Sequence, residues 1–209
     1  RLTTKRGSNP ILTMKSKFRS LIKPTNDWLV SFDYNGAEVR TFLALSGVDQ
    51  PEEDIHEWNM KHLYGDHPID REEAKVRFFS SFYNHDDNSL KNSVYSRDRV
   101  VGDYFYGNRV VTSFRRTIAV DERRAFNYII QSTTADLTID RAVELDKMLE
   151  GTKSKVAFIV HDEVVLDIHE EDRYKIPELK EVFQNNKLGS FRANVKAGKS
   201  YGELKELKL

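Results

Sequence analysis

Two apolar runs, Val156 to Val160 and Val164 to Leu166, bracket the acidic triplet His161-Asp162-Glu163. Runs of this length between polar residues read as buried strands, so the pattern predicts a hairpin that carries charge at a rigid tip. An Asp and a Glu side by side on such a support offer hard oxygen ligands suited to Mg²⁺. A mechanism needs a second acid-bearing strand, and Trp28 to Tyr34, WLVSFDY, supplies it by delivering Asp33 just before the turn Asn35-Gly36. Carboxylates on two strand ends, 129 positions apart, could share a pair of metal ions for phosphoryl transfer. Each acid taken alone is more often a turn residue or a solvated charge than a metal ligand.

The segment Arg1 to Pro24 is basic and rich in turn formers, a loop that is either simply solvated or in contact with phosphate. Ala37 to Gly47 has helical periodicity and ends on a capping glycine. Asp49 to Tyr64, opened by Pro51 and containing Asp54-Ile55-His56, is a second helix candidate. Asp70 is placed to cap a third helix, on which Arg71, Lys75, Phe79 and Tyr83 recur at spacings of four. They form one drifting stripe of two cations followed by two aromatics, able to hold a triphosphate at one end and stack a base at the other. The plain alternative is an amphipathic helix with Phe78, Phe79 and Phe82 in the core.

Residues 84–99 read as an irregular polar connection, followed by a Tyr/Phe cluster and a short strand at Arg109 to Thr112. Glu122 to Leu149 is the longest helical pattern. Its Arg123, Asn127 and Gln131, again every fourth residue, present a guanidinium and two amides, types that read minor-groove acceptors without regard to sequence. A solvated polar stripe would look the same. A helix over Glu170 to Phe183, a strand over Phe191 to Lys196 and a closing helix or tail from Tyr201 complete the reading.

The 209 residues suffice for a real core in one domain or two small lobes. Lys+Arg and Asp+Glu both number 33, so a nucleic-acid partner cannot be argued from overall charge, only from its distribution. No apolar stretch approaches the about 18 residues of a membrane span, and the absence of cysteine excludes disulfides and thiolate metal sites. An intracellular location is expected. The start at Arg1 without a signal-peptide pattern is expected of a fragment or a processed product.

In order along the chain, these pieces resemble the polymerase domain of family A DNA polymerases, the bacterial polymerase I and phage-type group. The likeness rests on Phe32-Asp33-Tyr34 with Glu38-Val39-Arg40 and Leu45-Ser46-Gly47, then Asp54-Ile55-His56 and the Arg71, Lys75, Phe79, Tyr83 stripe. ERRAFNYIIQSTTADL from Glu122, Val160-His161-Asp162-Glu163 and the closing VKAGKSYGEL from Val195 continue it. The resemblance implies an α+β fold: an antiparallel palm sheet with packed helices and an inserted, abbreviated helical fingers lobe. The palm would comprise residues 1–50 and 122–209, with 51–121 the shortened fingers and connection.

The function implied is template-directed DNA synthesis. Asp33 and Asp162 would bind two Mg²⁺ ions, with Glu163 an accessory acid. Lys75 would assist the leaving pyrophosphate, Arg71, Lys75 and His56 would grip the triphosphate, and Phe79 would stack on the incoming base. Tyr83 would hold the template side, Tyr34 would belong to the nucleotide pocket, and Glu38 would exclude a 2′-hydroxyl. Arg1, Arg123, Asn127, Gln131 and His161 would contact primer-template DNA. The resemblance places such an enzyme in a bacterial or phage-infected cytoplasm.

Three departures matter. Asn35-Gly36-Ala37 replaces the family's Ser-Gln-Ile, the fingers helix ends Tyr83-Asn84 rather than Tyr-Gly, and only 40 positions separate Tyr83 from Arg123, so the outer fingers helices are expected to be short or lost. The chain is also expected to lack a thumb and a 3′-5′ exonuclease. That makes a separate chain supplying them a candidate partner, and a DNA-binding fragment unable to extend primers the alternative function. A metal-dependent nuclease using the same acids is a third, weaker reading.

Overall fold

In chain order the elements are β1 (Trp28–Tyr34), α1 (Ala37–Leu45), α2 (Ile55–Asn59), α3 (Arg71–Tyr83), α4 (Arg97–Tyr104), β2 (Phe105–Tyr106), β3 (Arg109–Val111), β4 (Thr117–Ala119) and α5 (Glu122–Leu149). β5 (Lys155–Val160), β6 (Glu163–Ile168), α6 (Ile176–Gln184), β7 (Asn185–Asn186), β8 (Gly189–Ser190), β9 (Ala193–Gly198) and β10 (Lys205–Glu206) follow. The structure, a computed structural model, describes residues 11–65, 69–84, 86–91 and 93–208. Arg1 lies outside them. The chain divides into two compact units: Arg1–Tyr34 with Ala135–Lys187 and Ala193–Leu209, and Asn35–Thr134 with Leu188–Arg192. Residues 35–50 and 122–134 therefore lie in the second unit.

The first unit is built on a five-stranded antiparallel sheet in the order β10-β9-β1-β6-β5. β1 is central, which is why WLVSFDY is apolar almost throughout. Its Val30, Phe32 and Tyr34 alternate onto one face, where Phe32 and Tyr34 stack on Phe183 of α6 at 5.7 and 4.2 Å. On the other face Leu29, Val160, Val165 and Tyr201 form a small buried cluster. Ser31 and Asp33 share that face. β5 and β6 close through the two-residue turn His161-Asp162, and His161 takes a left-handed φ of 57°. Two-residue hairpins require φ > 0 at a central position, and here a non-glycine residue carries that strain.

The C-terminal part differs from expectation. The segment from Tyr201 is one short 3₁₀ turn, Tyr201–Glu203, followed by β10, whose charged residues form an edge strand on β9. The strand expected over Phe191 to Lys196 runs two residues later as β9. The helix expected from Glu170 splits into a 3₁₀ segment, Glu170–Lys175, and α6, because Pro177 is accommodated only in a first helical turn.

The second unit packs α1 to α4, the sheet β2-β3-β4 and α5 as far as Thr134. Its core is aromatic: Phe42, Phe78, Phe82 and Tyr95 are fully buried, and Phe82 meets Phe126 edge-on at 5.1 Å. Arg40, also fully buried, donates to the carbonyls of Asn35, Pro51 and Glu53 at 2.7 to 2.9 Å. Burial lowers its pKa to about 10, so it remains a cation at neutral pH.

α1 starts after Gly36, whose φ is 70° and whose missing Cβ would lie 2.4 Å from Ile55 Cγ2. No other residue fits there. The helix expected from Asp49 begins only at Ile55, where the Asp54 carboxylate caps the His56 and Glu57 amides, and it continues as a π-type turn, Met60–Tyr64. α4 starts inside the stretch expected to be irregular and runs into the Tyr/Phe cluster, and β4 lies where no element was expected. No helix among the described residues is long and apolar enough to cross a membrane.

Candidate active site

The β1 and β6 register pairs Asp33 directly with Glu163, so two carboxylates face each other across neighbouring strands. Asp162 precedes Glu163 in the turn. On the other flank Asp33 pairs with Asn194 of β9, with Lys196 two residues on. Burial first, then the Glu163 charge, pushes the Asp33 carboxyl above its usual range, and Lys196 only partly opposes this. Glu163 is held by two hydroxyls: Ser31 donates to Oε1 and Tyr201 donates to Oε2 at 2.6 Å. Tyr201 in turn lies under the Arg19 guanidinium, 5.1 Å from its ring centroid.

This donor set suits a hard divalent cation. Among the described residues no group of three or more acids or histidines converges as a metal cage. Mg²⁺ ordinarily takes one or two protein carboxylates and completes its shell with water and substrate phosphates, which is what Asp33 and Asp162 would provide. Burial, more than the Glu163 charge, raises the Asp33 carboxyl, and a cation bound there would oppose both. Tyr34 points away from this face: its ring is buried on Phe183 and its hydroxyl donates to the Phe183 carbonyl at 2.6 Å. Strand alternation leaves it only its backbone to offer a nucleotide. His161 is exposed at the turn.

In the second unit Asp70 caps α3 through the Glu73 amide at 2.8 Å, as expected. Arg71, Lys75, Phe79 and Tyr83 are all half-buried, between the buried line Ala74, Phe78, Phe82 and the exposed residues Glu72, Val76 and Arg77. The stripe thus borders the core instead of entering it. Phe79 lies parallel to Tyr83 at 6.2 Å and edge-on to His56 at 5.9 Å. Arg71 makes a two-pronged contact with Asp54, Nε to Oδ1 at 3.2 Å and Nη2 to Oδ2 at 2.8 Å. Burial alone would raise the Asp54 carboxyl, but the hydrogen bonds from Arg71 and Asn35 outweigh it and hold it well below the usual carboxylate range. His56 is 6% exposed, its Nδ1 has no hydrogen-bond partner, and burial lowers its pKa. Tyr83 donates its hydroxyl to Glu38 Oε2.

On α5, Arg123 is exposed and pairs with Asp86 at 3.4 Å. Arg123 and Asn127 line a pocket of about 690 Å³ with Tyr83, Arg97 and Phe126. Gln131, one turn further, is half-buried. Sequence reasoning missed Ser31, Tyr201, Arg19 and Lys196. Ser31 was within reach, because a lone polar residue two before Asp33 in an apolar strand must share its face.

Residues 93–203 match the family model described as DNA polymerase family A. The chain belongs to DNA polymerase family A. The match takes in α5, the His161-Asp162-Glu163 hairpin and Tyr201 of this family A domain. Among solved structures it is similar to one described as the POL domain of Pol1 from M. smegmatis in complex with DNA primer-template and dNTP, with a TM-score of 0.74 and 17% identity over 92% of this chain. At that identity the likeness shows the fold, and it joins the family A chain to a polymerase architecture. The chain spans 44% of that structure's chain. No curated protein matches it.

Proposed function

We propose that this family A domain is a DNA-directed DNA polymerase core that adds deoxynucleotides to a primer 3′-hydroxyl and releases pyrophosphate. The observation that carries the reading is the direct pairing of Asp33 with Glu163 beside Asp162, acids gathered at neighbouring strand ends of one sheet, where Lys196 opposes only in part the rise of the Asp33 carboxyl.

Asp33 and Asp162 are assigned to hold Mg²⁺, which when bound lowers the pKa of a hydroxyl nucleophile and offsets phosphoryl charge. Glu163, with both oxygens taken by hydroxyls, acts as a fixed charge beside them. Lys75 and Arg71 supply cations for the triphosphate, and Lys75 is assigned to stabilise the departing pyrophosphate. For Arg71 this means exchanging or sharing its contact with Asp54. His56, kept neutral by burial, offers a hydrogen bond without a further charge. Phe79 provides a flat face for the incoming base and Tyr83 lies parallel to it. Glu38, tied to Tyr83, is the group that a ribose 2′-hydroxyl would meet. Arg123, Asn127, Gln131 and His161 are assigned to the DNA, with Arg1.

A second reading is favoured by one observation, the 44% coverage of the M. smegmatis chain: a domain that binds primer-template but extends it only with further polypeptide. Primer extension with Mg²⁺ and four deoxynucleotides, alongside fluorescence-anisotropy binding of the same primer-template, separates the two. Extension that Asp162→Asn abolishes supports the polymerase core. Binding without extension at high enzyme concentration supports the second reading.

A further inference from the structure

Tyr201 sits where four independent contacts converge, and the polymerase assignment gives it no role. Its hydroxyl reaches Glu163 Oε2 at 2.6 Å, and its ring meets Phe158 edge-on at 5.2 Å. The Arg19 guanidinium lies 5.1 Å from the ring centroid, and the Tyr201 backbone amide donates to the Ile22 carbonyl at 2.9 Å. The following residue must be glycine, since a Cβ at Gly202 would lie 2.6 Å from the Ser20 amide nitrogen. The closing segment is thus pressed onto the chain at residues 16–22, and the ring, 5% exposed, has little freedom to move. Such convergence is more than a core tyrosine needs, because the hydroxyl ends on a carboxylate of the acid centre instead of a backbone carbonyl.

We propose that Tyr201 is a positioning residue of the acid centre: together with Ser31 it clamps the Glu163 carboxylate, so that its charge is fixed opposite Asp33. Two O–H donors, one per oxygen, set both the rotation of the carboxylate and its distance from β1. Hydrogen bonds to an ionised acceptor are short and about twice as strong as neutral ones. Without the phenol hydroxyl, Glu163 keeps only Ser31 and turns toward solvent, away from the like charge of Asp33. The negative potential at the acid centre falls, and cation affinity falls with it. The effect on rate rests on the polymerase reading; the effect on cation binding does not.

The test is Tyr201→Phe, which keeps the ring contacts and deletes the hydroxyl, measured with Ser31→Ala, Glu163→Gln and the Tyr201→Phe/Glu163→Gln double variant. Mn²⁺ binding to the chain is followed by electron paramagnetic resonance, with Asp33→Asn marking the site. Tyr201→Phe is expected to weaken Mn²⁺ binding several-fold and to slow single-turnover incorporation about tenfold, the scale of one charge-assisted hydrogen bond, with dNTP affinity within about twofold. In the Glu163→Gln background the same substitution changes neither quantity, because the hydroxyl acts through that carboxylate. A merely structural tyrosine would lower the unfolding midpoint, leave Mn²⁺ affinity alone and add its effect to that of Glu163→Gln. That pattern, or wild-type Mn²⁺ affinity in Tyr201→Phe, overturns the proposal. If the wild type binds Mn²⁺ at Asp33 yet incorporates nothing, the polymerase reading fails and the Mn²⁺ series still decides the role of Tyr201. If no Mn²⁺ binding depends on Asp33, both are overturned.

Discussion

Tyr83, the last residue of α3, donates its hydroxyl to the carboxylate of Glu38 in the first turn of α1, joining two residues 45 apart in sequence. The bond fixes where the Glu38 carboxylate stands, so under the proposed assignment of Glu38 to sugar selection, discrimination against ribose would depend on both partners. Glu38→Ala is expected to raise the ratio of ribonucleotide to deoxynucleotide kcat/KM by tenfold or more, about 1.4 kcal/mol in differential transition-state binding. Tyr83→Phe, which frees the carboxylate without removing it, should give a smaller rise in the same direction. Single-nucleotide incorporation with paired rNTP and dNTP substrates reads both. An unchanged ratio in Glu38→Ala would remove Glu38 from sugar selection.

The facing carboxylates of Asp33 and Glu163 predict a conflict between stability and activity. The folded state raises the Asp33 pKa, so above that value the charged side chain costs stability that the unfolded chain does not lose. Asp33→Asn removes the cost. The metal-free variant should melt a few degrees higher than wild type, about what 1 kcal/mol yields in a chain of this size, while incorporation is lost. Mg²⁺ should raise the wild-type melting temperature and leave that of Asp33→Asn unmoved. Calorimetry showing a destabilised Asp33→Asn would mean that the charge is already balanced.

His161 holds φ at 57° without being glycine. His161→Gly should relieve about 1 kcal/mol of left-handed strain and stabilise the hairpin, whereas His161→Ala keeps the strain. Both variants lose the imidazole, so both should weaken kcat/KM for primer extension to a similar degree. Equal unfolding midpoints for the two would show that the turn is not strained.

Burial lowers the His56 pKa below the ordinary value of about 6.5. As pH drops below that value, the unfolded chain takes up a proton that the folded chain refuses, so stability falls with falling pH down to the folded pKa. The depressed Asp54 carboxyl acts in a separate window, its contribution being lost only as pH falls below the ordinary carboxylate range. Urea denaturation from pH 7 to pH 5 should show wild-type stability declining and His56→Leu nearly flat across the same interval. Parallel curves would place the proton uptake elsewhere.

What could be read from the sequence was what local periodicity dictates. β1 and the β5-β6 hairpin are apolar runs bounded by polar residues, α3 and α5 carry helical spacing, and α3 also shows its Asp70 cap, so their bounds follow from chemistry along the chain. α4 is short and half charged, and β4 is only three residues long, so neither reveals a period, and they are held by the packing of Val100 and the β3 ladder. The acids were legible because each ends an apolar run. The clamp on Glu163 was not, since Tyr201 lies 38 residues beyond it and reaches it through a tail with no helix or strand pattern of its own.

The measurement that bears most directly on the whole account is single-turnover incorporation of one correct deoxynucleotide, with enzyme in excess over primer-template so that weak DNA grip cannot hide the chemistry. Wild type with Mg²⁺ should extend the primer by one nucleotide and release pyrophosphate. Asp33→Asn and Asp162→Asn should bind the same primer-template and extend none of it. Extension that survives either substitution, or a wild type that binds DNA and never extends it, contradicts the assignment of these two acids to DNA synthesis by this chain.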